Sequence, residues 1–253
     1  MGMPRTPREK SPTGIYHIIM RGVNRQRIFE DHEDRQKLLE KLFKFRGVSG
    51  YRIFAYCLMD NHIHILIQEN KEPLSRAMKR LSSSYVMYFN HKYERVGHLF
   101  QERYRSEVVD NDRYLLTALR YIHQNPLKAK MVEDVTSYRW SSYNEYFNDG
   151  YLVDKDFVLE LFGPSREKAL AQFIAFHGEI NDDKCIEIEE PRMNDGRLKE
   201  IIRDRIGMDA SDIENEDKMR QISILRKLKT IDGINTRQLS RLTGIPYIRV
   251  WRA

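Results

Sequence analysis

Two apolar segments, residues 51–59 and 62–68, are separated by only two residues, Asp-Asn. So short a connection between strand-like sequences predicts a tight antiparallel hairpin, and Asp-Asn suits its turn. Successive side chains of a strand point to opposite faces, so His62 and His64 share one face of the second strand. The hairpin therefore places two imidazoles side by side in an otherwise apolar strand.

The rest of the N-terminal half alternates between strand and helix patterns. Strands are predicted at 15–21, 51–59, 62–68 and 99–109, and helices at 31–46, 73–93 and 110–124. Asp110 is the expected N-cap of the last helix, and Pro126 is expected to end it. The order βαββαβα predicts an α+β fold, a ferredoxin-like antiparallel sheet with helices on one face.

The chain changes character after Gly150, and the sequence predicts three segments. Residues 1–150 form the α+β domain, residues 151–193 a helical connector with an acidic linker, and residues 194–253 a smaller all-α region. In the last segment, residues 236–245 resemble the first helix and glycine turn of a helix-turn-helix. A plain helical bundle is the alternative for this region.

Charge favours a polyanionic partner. The chain has 43 Lys and Arg against 37 Asp and Glu, a formal net charge of +6. Residues 218–253 hold nine basic residues and one acidic residue. The apolar runs are far shorter than a membrane span, and no apolar segment follows the basic N-terminus as in a secretory signal. We therefore expect no membrane association and a cytoplasmic location.

A helix and a strand could converge on one cation and one phosphate. Tyr121 and Asn125 lie at positions i and i+4, hence on one face of the predicted helix. His62, His64 and the amide oxygen of Asn125 would give three ligands suited to Mg²⁺ or Mn²⁺, leaving open positions for a phosphate. Tyr121 would then lie near that phosphate and could attack it.

The motifs that carry this arrangement resemble those of a known family. They are His62-Ile63-His64, the Tyr121 to Pro126 segment, Arg21-Gly22-Val23-Asn24-Arg25 and residues 97–104. Together, and in this order, they are similar to the REP-associated tyrosine transposases, single-tyrosine members of the HUH superfamily. The resemblance covers roughly residues 10 to 147.

The resemblance implies a metal-dependent endonuclease and strand-transferase of single-stranded DNA. A catalytic Tyr121 would cleave beside a DNA hairpin, remain on the 5′ phosphate and release a 3′ hydroxyl. It also implies a divalent metal, Mg²⁺ or Mn²⁺, held by His62 and His64 with Asn125 as third ligand. REP elements would be the DNA partner, the protein would be associated with the bacterial nucleoid, and it would act as a monomer or a homodimer.

Several further residues are candidate DNA contacts, because basic and amide side chains in loops and helices bind phosphates. They are Arg21, Asn24, Arg25, Arg27, His98, Arg103, Arg237 and Arg241. Tyr114, on the same helix face as Tyr121, is the alternative nucleophile.

Two other functions remain open from the sequence. A non-cleaving protein that binds DNA hairpins or regulates a promoter would need no Tyr121. An RNA-binding protein could share the sheet topology, but RNA-recognition sheets carry exposed aromatic residues where this one carries His62 and His64.

Overall fold

Four antiparallel strands form one sheet in the computed structural model. They are β1 (Ile15–Arg21), β2 (Arg52–Leu58), β3 (His62–Gln68) and β4 (Arg105–Val109), in the order β2-β3-β1-β4. The hairpin predicted from its two-residue turn is β2-β3, and the histidine strand is central, with β1 as its other neighbour.

The structure describes residues 8–148, 150, 152–186, 194–231, 234 and 236–253. These residues divide into two compact units, one within 1–188 and one within 189–253. Across the described part of the chain, no helix combines the length and the apolar character that a membrane crossing needs.

Three helices complete the predicted βαββαβα order. They are α1 (His32–Ser49), α2 (Leu74–Lys92) and α3 (Asp112–Lys128). α1 begins with a capping box, in which Asp31 accepts from the Asp34 amide while the Asp34 carboxylate accepts from the Asp31 amide. It ends at Gly50, whose φ of 68° is the left-handed conformation that glycine adopts readily. The α+β fold class is confirmed.

The two faces of the sheet differ in chemistry. One carries His17 and His64, and the other carries Ile18 and Ile65, all of them buried. Ring contacts of Tyr121 with both histidines place α3 on the histidine face. The apolar face belongs to the same hydrophobic core as the buried side chains of α1 and α2, which pack against each other.

The fourth strand is shorter than predicted. The sequence predicted a strand from Leu99, but β4 begins at Arg105. The Leu99 carbonyl accepts from the Val23 amide, and the Gln101 amide donates to the Arg21 carbonyl. Residues 99–101 thus pair with the end of β1 and the residues that follow it through an isolated antiparallel bridge between Gly22 and Phe100, separate from the β4 ladder.

The predicted N-cap of the third helix was wrong, and the helix ends near Pro126, four residues after the predicted Gln124. Asn111, not Asp110, is the N-cap, because its side-chain oxygen accepts from the Tyr114 amide at 2.8 Å. The helix also continues through Pro126 to Lys128. A proline this close to the C-terminus removes one amide donor, and bonds such as Met131 N to the Pro126 carbonyl still close the last turn.

Residues after 150 extend the first unit. α4 (Lys155–Glu160) and α5 (Arg166–Gly178) follow two 3₁₀ turns, and their buried side chains join the core of the sheet. Phe173 of α5 is fully buried and stacks on Tyr146, with ring centroids 4.4 Å apart. Residues 187–193 of the predicted acidic linker lie outside the described residues.

The second unit is helical and has its own core. It contains α6 (Asp195–Ile206), α7 (Lys218–Lys229), α8 (Thr236–Thr243) and α9 (Tyr247–Arg252). Its buried residues include Leu198, Ile202, Leu225, Leu239 and Val250. Gly244, with a φ of 71°, makes the turn between α8 and α9. The division into a 1–150 nuclease domain and a 194–253 helix-turn-helix region stays a prediction.

Candidate active site

The hydrogen bonds around His62 leave one of its two ring nitrogens unprotonated. The Asn61 Nδ2 donates to the Arg25 carbonyl, which can only accept, so the Asn61 Oδ1 faces the ring. That oxygen lies 2.7 Å from His62 Nδ1, which must therefore carry the proton. Nε2 is left as a lone pair, the state in which imidazole binds a metal.

His64 has the same arrangement with different partners. Its Nδ1 lies 3.0 Å from the Nε2 of His17, and its Nε2 lies 3.4 Å from the Asn125 Nδ2. Amide nitrogens only donate, so His64 Nε2 is also a lone pair. Burial is the main cause that lowers the pKa of His62 to about 4 and that of His64 well below its ordinary value. Both rings are therefore neutral at pH 7.

Four predicted site residues come together on this face of the sheet. Asn125 hydrogen-bonds to His62 as well as His64. The Tyr121 ring lies edge-on to His64, with centroids 5.8 Å apart. Because Tyr121 and Asn125 are four residues apart in α3, both side chains lie beside the two histidines.

Tyr114, the alternative nucleophile, is engaged elsewhere. Its hydroxyl donates a short hydrogen bond to the Glu107 carboxylate on β4. Burial and this bond raise the pKa of Tyr114 far above its ordinary value. A tyrosine held in this way is a poor nucleophile, which favours Tyr121.

The loop after β1 lies beside the β2-β3 turn. Asn24 and Arg25 have φ angles of 50° and 59°, in the left-handed region that non-glycine residues rarely occupy. Hydrogen bonds from the Gly22 amide to the Asn61 carbonyl and from the Ile28 amide to the Asp60 carbonyl hold the loop in place. Such strain persists where surrounding contacts impose it, often at functional sites.

The predicted DNA contacts lie in several parts of the structure and differ in their exposure. Arg21 lies directly opposite His62 in the β1-β3 register. Asn24 and Arg27 are exposed in the loop after β1, Arg25 is half-buried there, and His98 and Arg103 are exposed before β4. Arg237 and Arg241 are exposed in the second unit, where Arg241 forms an ion pair with Asp195 at 2.7 Å.

A cleft of about 860 Å³, lined by four basic and three acidic side chains among others, lies along β4 in the first unit. Its lining includes Arg8, Arg103, Arg105, Tyr16 and Tyr104. Arg103 and Arg105 also line a small groove that includes Arg21, the neighbour of His62. Positive side chains therefore run from the cleft towards the histidines.

Sequence reasoning missed two residues at the site. His17 lies in the apolar run of β1, so it has the pattern of a core residue, although it shares a face with His64. Lys128 lies two turns after Tyr121 in α3, and its Nζ is 4.9 Å from the centroid of the Tyr121 ring. A spacing of seven residues in a helix could have indicated the second contact.

The chemistry of the donors fits a divalent cation with open positions. Within the described ranges, no three side chains of His, Cys, Asp or Glu are grouped so that they could hold a metal. The available set is two neutral imidazoles and one amide, each imidazole oriented by a hydrogen bond to its other nitrogen. Such support of the ligand rings is usual in metal sites.

The fold and the site define a class: a four-stranded α+β domain with a histidine pair on a central strand and a tyrosine on the covering helix. The family described as "Transposase IS200 like" matches residues 11–125, which contain all of these features. Residues 11–125, somewhat less than half of the chain, are therefore similar to the IS200-like transposase family, and the predicted family resemblance is confirmed.

Two individual proteins are similar to this chain. A protein of Haemophilus influenzae named "Putative REP-associated tyrosine transposase" is 28% identical over 106 residues, which cover 37% of this chain and 60% of that protein. The chain thus spans less than two thirds of that relative. A solved structure of a REP-associated tyrosine transposase bound to a REP hairpin has 18% identity and a TM-score of 0.49, covering 57% of this chain and 86% of that one.

Proposed function

We propose that this protein is a metal-dependent endonuclease and strand-transferase of single-stranded DNA that acts through a covalent 5′-phosphotyrosine. The convergence of His62, His64, Asn125 and Tyr121 on one face of the sheet carries the proposal. The match of residues 11–125 to the IS200-like transposase family supports it. The name of the Haemophilus influenzae relative leads us to propose REP DNA as the substrate.

His62, His64 and Asn125 would hold a Mg²⁺ or Mn²⁺ ion. When bound, the ion would withdraw charge from the phosphate and make its phosphorus a better electrophile. The neutral state of both imidazoles suits this role, since only the unprotonated nitrogen can bind a cation.

Tyr121 would be the nucleophile. Its phenolic oxygen forms a bond to phosphorus while the bond from phosphorus to the 3′ oxygen breaks. The phenolic proton is lost, and the leaving 3′ oxygen takes up a proton to become a hydroxyl. The 5′ phosphate stays on Tyr121 as a phosphodiester, so a later attack by a DNA hydroxyl rejoins strands without an external energy source.

Lys128 would add a positive charge beside the reacting phosphate. Its ammonium lies over the Tyr121 ring, 4.9 Å from the centroid. A fixed cation next to a developing phenolate or phosphate charge stabilises the transition state.

Unpaired DNA would follow the basic residues of the first unit. Arg103 and Arg105 connect the cleft to Arg21 and so to His62. Asn24, Arg25, Arg27 and His98 are proposed as phosphate contacts near the site, and Arg237 and Arg241 as contacts of the second unit.

Covalent adduct formation tests the proposal. Hairpin oligonucleotides from the flanks of the gene are incubated with Mn²⁺ or Mg²⁺ and resolved on a denaturing protein gel. We expect a metal-dependent protein–DNA adduct in the wild type, none with Tyr121→Phe, and little with His64→Ala. Tyr114→Phe is the matched control and retains the adduct, because its hydroxyl is held by Glu107.

The alternative is a non-cleaving protein that binds hairpins or regulates a promoter. Tight binding of the same oligonucleotides without an adduct in either metal would contradict the enzyme and favour this alternative. Loss of the adduct in Tyr114→Phe but not in Tyr121→Phe would show that Tyr114, and not Tyr121, is the nucleophile.

A further inference from the structure

His17 is a buried histidine with one ring nitrogen unsatisfied. The residue is fully buried, and its Nε2 lies 3.0 Å from His64 Nδ1. Its Nδ1 has no hydrogen-bond partner among the described residues. A buried polar atom without a partner is unfavourable, and few exist in folded proteins, so each needs an explanation.

Packing alone does not explain a histidine at this position. The neighbour of His17 across the β1-β3 ladder is Leu66, and the next residues on the same face of β1 are Ile15 and Ile19. An aliphatic side chain would fill such a position without leaving a polar atom unpaired. What a histidine adds at this position is the contact of its Nε2 with His64.

The direction of the His17–His64 hydrogen bond follows from the groups around it. Two arrangements are possible, because either ring can donate to the other. If His17 donated, His64 would carry its proton on Nε2, directed at the Asn125 amide nitrogen 3.4 Å away, which is itself a donor. If His64 donates from Nδ1, its Nε2 accepts from Asn125 instead.

We propose that His17 is a positioning residue that holds His64 in the tautomer with Nε2 free to bind a cation. Nε2 of His17 accepts the proton of His64 Nδ1, and His17 keeps its own proton on the unpaired Nδ1. This assigns to His17 the part that Asn61 plays for His62, where the Asn61 Oδ1 accepts from Nδ1 at 2.7 Å. The inference rests on the proposed function in its use of the cation, but the tautomer itself does not.

Two substitutions of His17 by side chains of equal length test its two possible roles separately. One role is to accept the proton of His64 Nδ1, and the other is only to fill the space. His17→Gln places an amide oxygen near the former Nε2, where it accepts from His64. His17→Met fills similar space and offers no comparable acceptor. In His17→Met the buried His64 Nδ1–H would be unpaired, so the ring should move its proton to Nε2 and donate it to a rotated Asn125 amide.

The first measurement is ¹⁵N NMR of the metal-free full chain with labelled histidines, in which protonated and unprotonated ring nitrogens differ in shift. His64 resonances are assigned by their loss in His64→Ala. We expect the proton on Nδ1 in the wild type and in His17→Gln, and on Nε2 in His17→Met. Proton on Nε2 in the wild type, or the same tautomer in all three proteins, would overturn the proposal.

The second measurement is the affinity for Mn²⁺ alone, by titration with electron paramagnetic resonance. His17→Met should bind about 10- to 100-fold more weakly than the wild type, as is usual when a supporting partner of a ligand is lost. His17→Gln should retain most of the affinity. Equal weakening in both variants would indicate a merely structural role. If the wild type binds no Mn²⁺, the proposed metal site fails, while the NMR result still decides the role of His17.

Discussion

Arg120 should be the strongest single anchor of the helix that carries Tyr121. Its guanidinium donates to the Asp183 carboxylate at 2.7 and 3.1 Å, to the Glu179 carboxylate at 2.6 Å and to the Phe176 carbonyl at 3.1 Å. These partners lie in or after α5, beyond the residues that match the transposase family. The bonds tie α3 to this later segment.

Replacing Arg120 by Met keeps the unbranched stem and removes the charge. The side chains of Arg120 and Asp183 are only 10% and 12% exposed, so the carboxylate would lose its partner in a poorly solvated place. Breaking a buried pair in this way costs about 3 to 5 kcal/mol. We expect about 3 kcal/mol, the lower end, because Asp183 lies near the surface and water can replace part of the interaction.

Calorimetry and urea unfolding of the first unit measure this loss. A cost of about 3 kcal/mol should lower Tm by about 6 to 12 °C in a unit of this size. Glu179→Gln is the matched control: the Glu179 side chain is 62% exposed. Pairs at such positions contribute under about 1 kcal/mol. If Arg120→Met and Glu179→Gln destabilise equally, the segment after α5 does not anchor the helix.

Two further predictions concern pH and the loop beside the site. Because burial lowers the pKa of His62 to about 4, the unfolded chain binds protons more readily below about pH 6.5. The contribution of this histidine to stability should therefore be constant above that pH and fall towards pH 4, by up to about 1.4 kcal/mol per pH unit. His62→Gln should reduce the slope of the curve measured by urea titrations, while the other buried histidines keep part of it. Gly22→Ala should destabilise by about 1 to 3 kcal/mol, because the new Cβ would overlap the Gln26 carbonyl oxygen. Gly47→Ala, a change within α1 that meets no atom within 4 Å, should instead stabilise by about 0.5 to 1 kcal/mol, and thermal melts compare the two.

The sequence predicted the parts of the fold that local patterns determine. Two apolar runs and a two-residue turn located β2 and β3, and helical spacing placed Tyr121 and Asn125 on one face. Both are properties of neighbouring residues, so they need no knowledge of the tertiary structure. The central position of the histidine strand followed from the element order.

Tertiary contacts decided what the sequence did not predict. The strand predicted from Leu99 is interrupted, because residues 99–101 pair with residues 21–23 through an isolated bridge and not in the register of β4, which no periodicity reports. The inclusion of α5 in the first unit depends on Phe173 and on the partners of Arg120, far along the chain. His17 was missed because an isolated histidine in an apolar strand has the same pattern whether it supports a ligand or fills a core.

The central claim is that Tyr121 becomes covalently attached to DNA, and mass spectrometry tests it most directly. Trypsin cleaves after Arg113, Arg120 and Lys128, so Tyr114 and Tyr121 fall in separate peptides, 114–120 and 121–128. The adduct formed with Mn²⁺ is digested with nuclease and then trypsin, and the peptides are sequenced. The account predicts a nucleotide phosphate on Tyr121 in peptide 121–128, and a nucleotide on Tyr114, or on neither peptide of a confirmed adduct, would contradict it.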